Sequence, residues 1–179
     1  MNLGIYSYAR YGKGIGKQLI PKTKSSLWAG RLFKYLGALS FAAVLSQPSP
    51  IVEHANDKQL HSSEQHNALI EMEMEPRGFN RITRHGTFMS FALLGIGQML
   101  TRGRLGDAVF WGSFPVFWII GSLHQDYRLK QDMSKAFFEK TSLLPFKAII
   151  EGRNTWTSAK DEIDGKAVLA AAVAPLFVL

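Results

Sequence analysis

The chain has 179 residues and no cysteine, which suits one domain and excludes disulfides, thiolate metal sites and a cysteine nucleophile. With 46% hydrophobic and 20% charged residues, disorder along the whole chain is excluded as well. The net charge of +7 is distributed unevenly: residues 1–52 hold seven Lys and Arg and no Asp or Glu, whereas residues 53–179 hold 14 charges of each sign. A nucleic-acid binder carries its cations on a folded face or stripe, so nucleic acid is not an expected partner.

Residues 1–26 read as a basic N-terminal arm. An acid-free stretch with Ser, Lys and Arg resembles an organelle-targeting or membrane-facing segment, and it lacks the apolar run of a secretory signal. The glycine-rich YGKGIGKQ at 11–18 has neither a preceding strand nor the Walker spacing, and reads as a flexible basic arm.

Leu27–Leu45 is the first candidate span, 19 residues interrupted only by Arg31 and Lys34. Both cations lie near its start, where their stems can snorkel to headgroups, and Trp28 and Tyr35 suit the interfacial zone. Pro48 and Pro50 stop the helix, since neither continues its hydrogen bonding. The polar stretch 46–78 follows. His54, His61 and His66 lie there beside Glu53, Asp57 and Glu64, but spacings of seven and five do not put three ligands on one helix face, so no metal is expected. Glu71, Glu73 and Glu75 alternate with Met72 and Met74 and read as a solvated loop or a contact for a basic partner; nothing separates their pKa values for acid–base work.

The second and third apolar segments are Gly86–Leu100 and Ala108–Leu123, with Arg81 and Arg84 before them and Arg102 and Arg104 between them. The short TRGRLGD link predicts an antiparallel hairpin. Both segments are apolar around the whole circumference. Gly86, Ser90, Gly95 and Gly97, facing Gly112 and Ser113, permit close backbone approach. Residues 124–166 are mixed and amphipathic, with breaks expected at Pro145 and Gly152, and Ala167–Leu179 is wholly apolar. Crossing about 30 Å of hydrocarbon takes roughly 20 helical residues, which the first segment meets and the next two approach with their flanks. The predicted fold is all-α: an integral membrane bundle of about four transmembrane helices over 27–179, with the basic arm outside it. The positive arm and the positive 101–107 turn fall on one side, the matrix, stroma or cytoplasm.

The octapeptide Gly78–His85, GFNRITRH, resembles the RITRHP signature of the NnrU membrane family, which includes 15-cis-zeta-carotene isomerase. The similarity covers residues 78–129: a helix after His85, a G-x-L turn at Gly103 and Leu105, a second helix, and a close at GSLHQDYRL, 121–129. It implies a helical membrane domain and, in the isomerase, a haem held by two histidines. Here the later helix histidine is replaced by Gln98, the proline after the signature histidine by Gly86, and the segment 27–45 has no histidine. The chain is therefore identified as a degenerate member without the haem ligands, and His85, Gln98 and His124 are the candidates if haem or chlorophyll is bound.

These readings combine into one expectation, a non-catalytic accessory subunit of a respiratory or other energy-transducing complex in the mitochondrial inner membrane. It has no catalytic residues, no metal and no cofactor; its partners are other membrane subunits and anionic phospholipid such as cardiolipin. Headgroup contacts are expected from Arg81, Arg84, His85, Arg102, Arg104, Arg31 and Lys34. The alternatives are a chlorophyll-binding photosystem subunit of the thylakoid membrane and a haem-dependent carotenoid isomerase.

Overall fold

The computed structural model describes residues 2–46, 75–132, 135–166 and 168–169. His54, His61, His66, Glu71 and Glu73 lie outside the described residues, as does all but two residues of the terminal apolar run. Among the described residues the chain is helical, with one isolated β-bridge between Gln18 and Arg104. The all-α class is thus met.

Helix α1 (Asn2–Ser7) runs into a π-helical turn at Tyr8–Gly12. Helix α2 (Lys24–Leu45) begins on Thr23, whose hydroxyl accepts from the Ser26 amide at 3.1 Å while the Ser26 hydroxyl accepts from the Thr23 amide at 3.1 Å. This reciprocal pair satisfies two amides that the first helical turn leaves without partners. Helix α3 (Gly86–Arg102) ends on Gly103, whose φ of 70° is left-handed and costs little without a Cβ. Helix α4 (Leu105–Asp132) follows at once, giving the expected antiparallel hairpin. It is much longer than the apolar run 108–123 suggested, because the polar residues from His124 to Gln131 have good helical propensity and no breaker.

Small residues set the packing. A Cβ at Gly30 would lie 2.9 Å from the Gly97 carbonyl oxygen, and one at Gly37 would lie 2.9 Å from that of Ser90. A Cβ at Gly86 would meet side chains instead, Phe79 Cδ1 at 2.5 Å and Val44 Cγ2 of α2 at 2.6 Å. The register runs down α2 as it runs up α3, so the two are antiparallel with backbones in near contact. On the other side of α3, Gly95 faces the Trp111 carbonyl oxygen, 2.6 Å from where its Cβ would be. That carbonyl is the one Pro115 cannot donate to, four residues on inside α4. Gly95 lets α3 close over the gap. Helix α3 is therefore the middle of a three-helix layer, α2–α3–α4. Gly112 stands apart from this pattern, with only the Met99 sulfur 3.6 Å away.

Helices α5 (Lys135–Lys140), α6 (Lys147–Ile150) and α7 (Trp156–Glu162) fold back over the end of the layer where α3 begins. The expected breaks are present. Phe146, after Pro145, has a φ of 62°, and Gly152 has a φ of 70°. This cap completes a core of Ala43, Phe79, Ile82, Met89 and Ala159, against which Val44, Leu93, Trp118 and Ile149 pack.

One helical stretch among the described residues, Leu105–Gln131, is long and apolar enough to cross a membrane. Helix α3 has 17 residues, about 25 Å at 1.5 Å per residue. In α2 Arg31 and Lys34 interrupt the apolar run and lower its mean hydropathy. Of the first three spans expected from the sequence, one qualifies by itself and two are helices shorter or more charged, packed beside it; the fourth, Ala167–Leu179, lies outside the described residues but for 168 and 169.

Candidate functional site

The layer has two polar ends. At one, the residues Arg81–His85 form a largely buried junction that ties the start of α3 to α4, to α7 and to the segments around them. Arg81 makes a two-pronged ion pair with Glu162 of α7, Nε to Oε2 at 2.8 Å and Nη2 to Oε1 at 2.7 Å. Its Nη1 donates to Asn154 Oδ1 at 2.9 Å, and the Gly78 amide adds a third donor to Glu162 at 2.6 Å. These hydrogen bonds, those of Arg81 foremost, hold the Glu162 carboxyl below the usual carboxylate range and raise the Arg81 guanidinium in turn. Ile82 is buried and its carbonyl accepts from the Phe146 amide. Thr83 donates to the Leu143 carbonyl at 2.8 Å.

Arg84 is 7% exposed. Its Nη1 reaches Asp126 Oδ2 at 2.5 Å, its Nε reaches Thr141 Oγ1 at 2.9 Å, and its plane lies 4.1 Å from the Phe138 ring centre. The backbone amide of Arg84 donates to Ser142. His85 is 4% exposed, and its Nε2 lies 2.6 Å from the other Asp126 oxygen. A buried guanidinium costs several kcal/mol in desolvation unless its donors are met and its charge is balanced. Asp126 supplies the charge and the 138–141 segment supplies the acceptors.

This arrangement departs from the headgroup role expected of Arg81, Arg84 and His85. Arg84 and His85 are turned inward and bonded to protein groups, and Arg81 is committed to Glu162. His85 stands at the N-cap position of α3, yet its side chain makes no capping hydrogen bond. The residues that complete the junction are Asp126, Thr141, Asn154 and Glu162. Of these Asp126 lies on α4. The other three come from the cap, whose packing no local pattern announces.

At the opposite end the arm is docked and not free. The Leu19 and Ile20 amides donate to Gly103, the Leu105 amide to Lys17, and the Gly106 amide to Ile15. Tyr8 stacks on Phe110 with ring centres 4.1 Å apart, donates to Asp107 Oδ1 at 2.5 Å and accepts from Trp111 Nε1 at 2.9 Å. Burial, with the Asp107 hydrogen bond second, pushes the Tyr8 phenol above its ordinary value of 10.0. The flexible arm read from the glycines is thereby corrected: Gly14 and Gly16 adopt positive φ, and their turns lay the chain across the α3–α4 turn. Arg31, Lys34, Arg102 and Arg104 all belong to this end, the first two near the start of α2 and the others at the turn.

The three candidate haem or chlorophyll ligands do not come together. Thirteen residues of α3, about 20 Å, separate His85 from Gln98. Gln98 Oε1 accepts from Arg102 Nε at 3.2 Å, His85 Nε2 is held by Asp126, and His124 is exposed on α4. These residues do not fit a single bound iron. Among the described residues no three His, Asp or Glu side chains gather as a metal ion requires. No family model, curated protein or solved structure matches the chain.

Proposed function

We propose that the protein is a non-catalytic accessory subunit of a large complex in an organellar inner membrane, a respiratory assembly of the mitochondrion first, and a degenerate relative of the NnrU family. The observation that carries the reading is the distribution of exposed apolar side chains on the layer. On α4, Val109, Val116, Phe117, Ile119, Ile120 and Leu123 are all exposed, and on α2 Trp28, Leu32, Leu36 and Leu45 are as well. Ten large apolar side chains exposed on two helices of one layer are covered by lipid or by neighbouring helices. Helices too short or too charged to span unaided gain from packing beside partners, which relieves mismatch. Seven cations in an acid-free N-terminal stretch supply the targeting and positive-side character.

The non-catalytic part of the reading rests on how the signature residues are used. Arg81, Thr83, Arg84 and His85 spend their donors on the cap and on Asp126, which is what a structural junction needs. The experiment is purification of the complex from detergent-solubilised organelles with a tag on this chain. Stoichiometric membrane subunits in a colourless preparation support the proposal. Stoichiometric chlorophyll would instead favour the photosystem reading, with His124 the exposed ligand, and a Soret band lost on replacing His85 would favour the isomerase.

A further inference from the structure

We propose that Arg31, Lys34 and Arg102 form a binding site for the phosphate of an anionic phospholipid, a step that rests on the membrane reading above. The three cations come from two helices. The Lys34 stem lies against Gly97, its Cγ 2.5 Å from where a Cβ of Gly97 would be, and Arg102 leaves α3 little more than one turn further on. Arg31 and Arg102 are near enough to act on Lys34 electrostatically. Among the described residues neither Arg31 nor Lys34 has a carboxylate within ion-pair distance. Among the described residues Asp107 is the acid paired with Arg102, at 3.8 Å; it is 2% exposed and already accepts from Tyr8. Of the three cations only Arg102 has a carboxylate beside it, so the like charges on Arg31 and Lys34 are uncompensated in partly desolvated surroundings, and an entering phosphate diester offsets their repulsion.

The shape of α2 selects a lipid as the source of the phosphate. Trp28, Leu32 and Leu36, four residues apart, form one exposed apolar stripe on the side of α2 turned away from α3, and Arg31 borders it while Lys34 lies further round toward α3. The Arg31 guanidinium lies 5.8 Å from the Trp28 ring centre, at the top of that stripe. A headgroup held through Arg31 therefore has the stripe within reach of its acyl chains, and a free phosphate gains nothing from it. Arg104 and the docked basic arm surround the same end and raise its positive potential.

The test uses the full chain, purified in neutral detergent, and follows its thermal midpoint against added cardiolipin, phosphatidylglycerol, phosphatidylcholine and inorganic phosphate. The expected result is stabilisation by the two anionic lipids and none by phosphatidylcholine or phosphate. R31Q is expected to weaken apparent affinity about fivefold, and R31Q with Lys34→Met by about twenty-fivefold, at roughly a fivefold loss for each cation. Arg31 is exposed, so its single variant tests the site even if the double variant fails to fold. R128Q, an exposed cation near the far end of α4, is expected to bind like wild type. Equal stabilisation by inorganic phosphate, no preference for anionic lipid, or an equal loss in R128Q would overturn the site. Flotation with pure phosphatidylcholine vesicles after reconstitution separates the two levels: a chain that floats but shows no anionic preference loses only the site, and a chain washed off by carbonate loses the membrane reading too.

Discussion

His85 Nε2 lies 2.6 Å from Asp126 Oδ1, joining the start of α3 to the far part of α4, and the second oxygen of the same carboxylate takes Arg84. One aspartate thus balances a guanidinium that is almost wholly buried. Removing it strands that charge. Asp126→Ala is expected to destabilise the fold by about 3–5 kcal/mol. The measurement is unfolding in detergent followed by circular dichroism, with Asp161→Ala on the exposed side of α7 as the comparison. Equal effects from the two substitutions would show that the junction contributes nothing.

The Arg81–Glu162 pair gives the acid side of the stability curve its shape. Glu162 titrates below its unfolded value of about 4.3, so its contribution is complete above that pH. As pH falls from about 4.3 through the lower folded value, the folded state must take up a proton it resists, and stability is lost. E162Q is expected to be less stable than wild type at neutral pH and to lose less on acidification across that window. Thermal midpoints between pH 3 and 7 check this, and parallel curves for the two proteins would refute it.

Gly95 and Gly97 sit where a methyl group meets backbone oxygen: at 2.6 Å from Trp111 for the first, and 2.6 Å from Gly30 for the second. Alanine at either position is expected to cost about 1–3 kcal/mol, because helix backbones must separate. Gly112 has open space around it, so Gly112→Ala is expected to stabilise by about 0.5–1 kcal/mol through helix propensity. Unfolding midpoints of the three variants decide the point; the same sign for all three would contradict the packing register.

Tyr8→Phe keeps the stacking on Phe110 and removes the hydrogen bonds to Asp107 and Trp111. The expected loss is about 1.5–3 kcal/mol of arm docking, the range for a bond to a charged partner. Limited trypsin digestion reads it directly: cleavage after Arg10, Lys13 and Lys17 should quicken while cleavage after exposed Arg128 does not. An unchanged digestion pattern would mean that the arm is held by its backbone contacts alone.

What was legible in the sequence follows from which forces are local. The α3–α4 hairpin was readable from two apolar runs and a Gly103 link, because turn chemistry and burial act over a few residues. So was the close approach of Gly95 to α4, whereas Gly97 closes on Gly30 of α2 and Gly86 on the Phe79 and Val44 side chains, which the pairing with Gly112 and Ser113 did not foresee. The helical class came from the same periodicity. The length of α4 was not readable from hydropathy, since the polar turns after Leu123 are helical through propensity and through Asp126 meeting Arg84 and His85. The inward turn of Arg84 and His85 was hidden for a related reason. Their partners lie 41 to 57 residues away, on α4 and in the segment after α5, and a cation at a helix start looks the same in sequence whether it meets lipid or an aspartate. The docking of the arm depended on Tyr8 and Asp107, 99 residues apart. A tyrosine among lysines gave no sign of it.

In the native membrane, we propose, the exposed apolar face of α4 is covered by the other subunits of a complex. Native electrophoresis of mildly solubilised organelles, probed for this chain, tests it most directly. Migration with a large assembly, in a band carrying neither haem nor chlorophyll stoichiometric with the chain, is the predicted result. Migration of the chain alone in a detergent micelle, from membranes solubilised gently enough to keep known complexes intact, would contradict it.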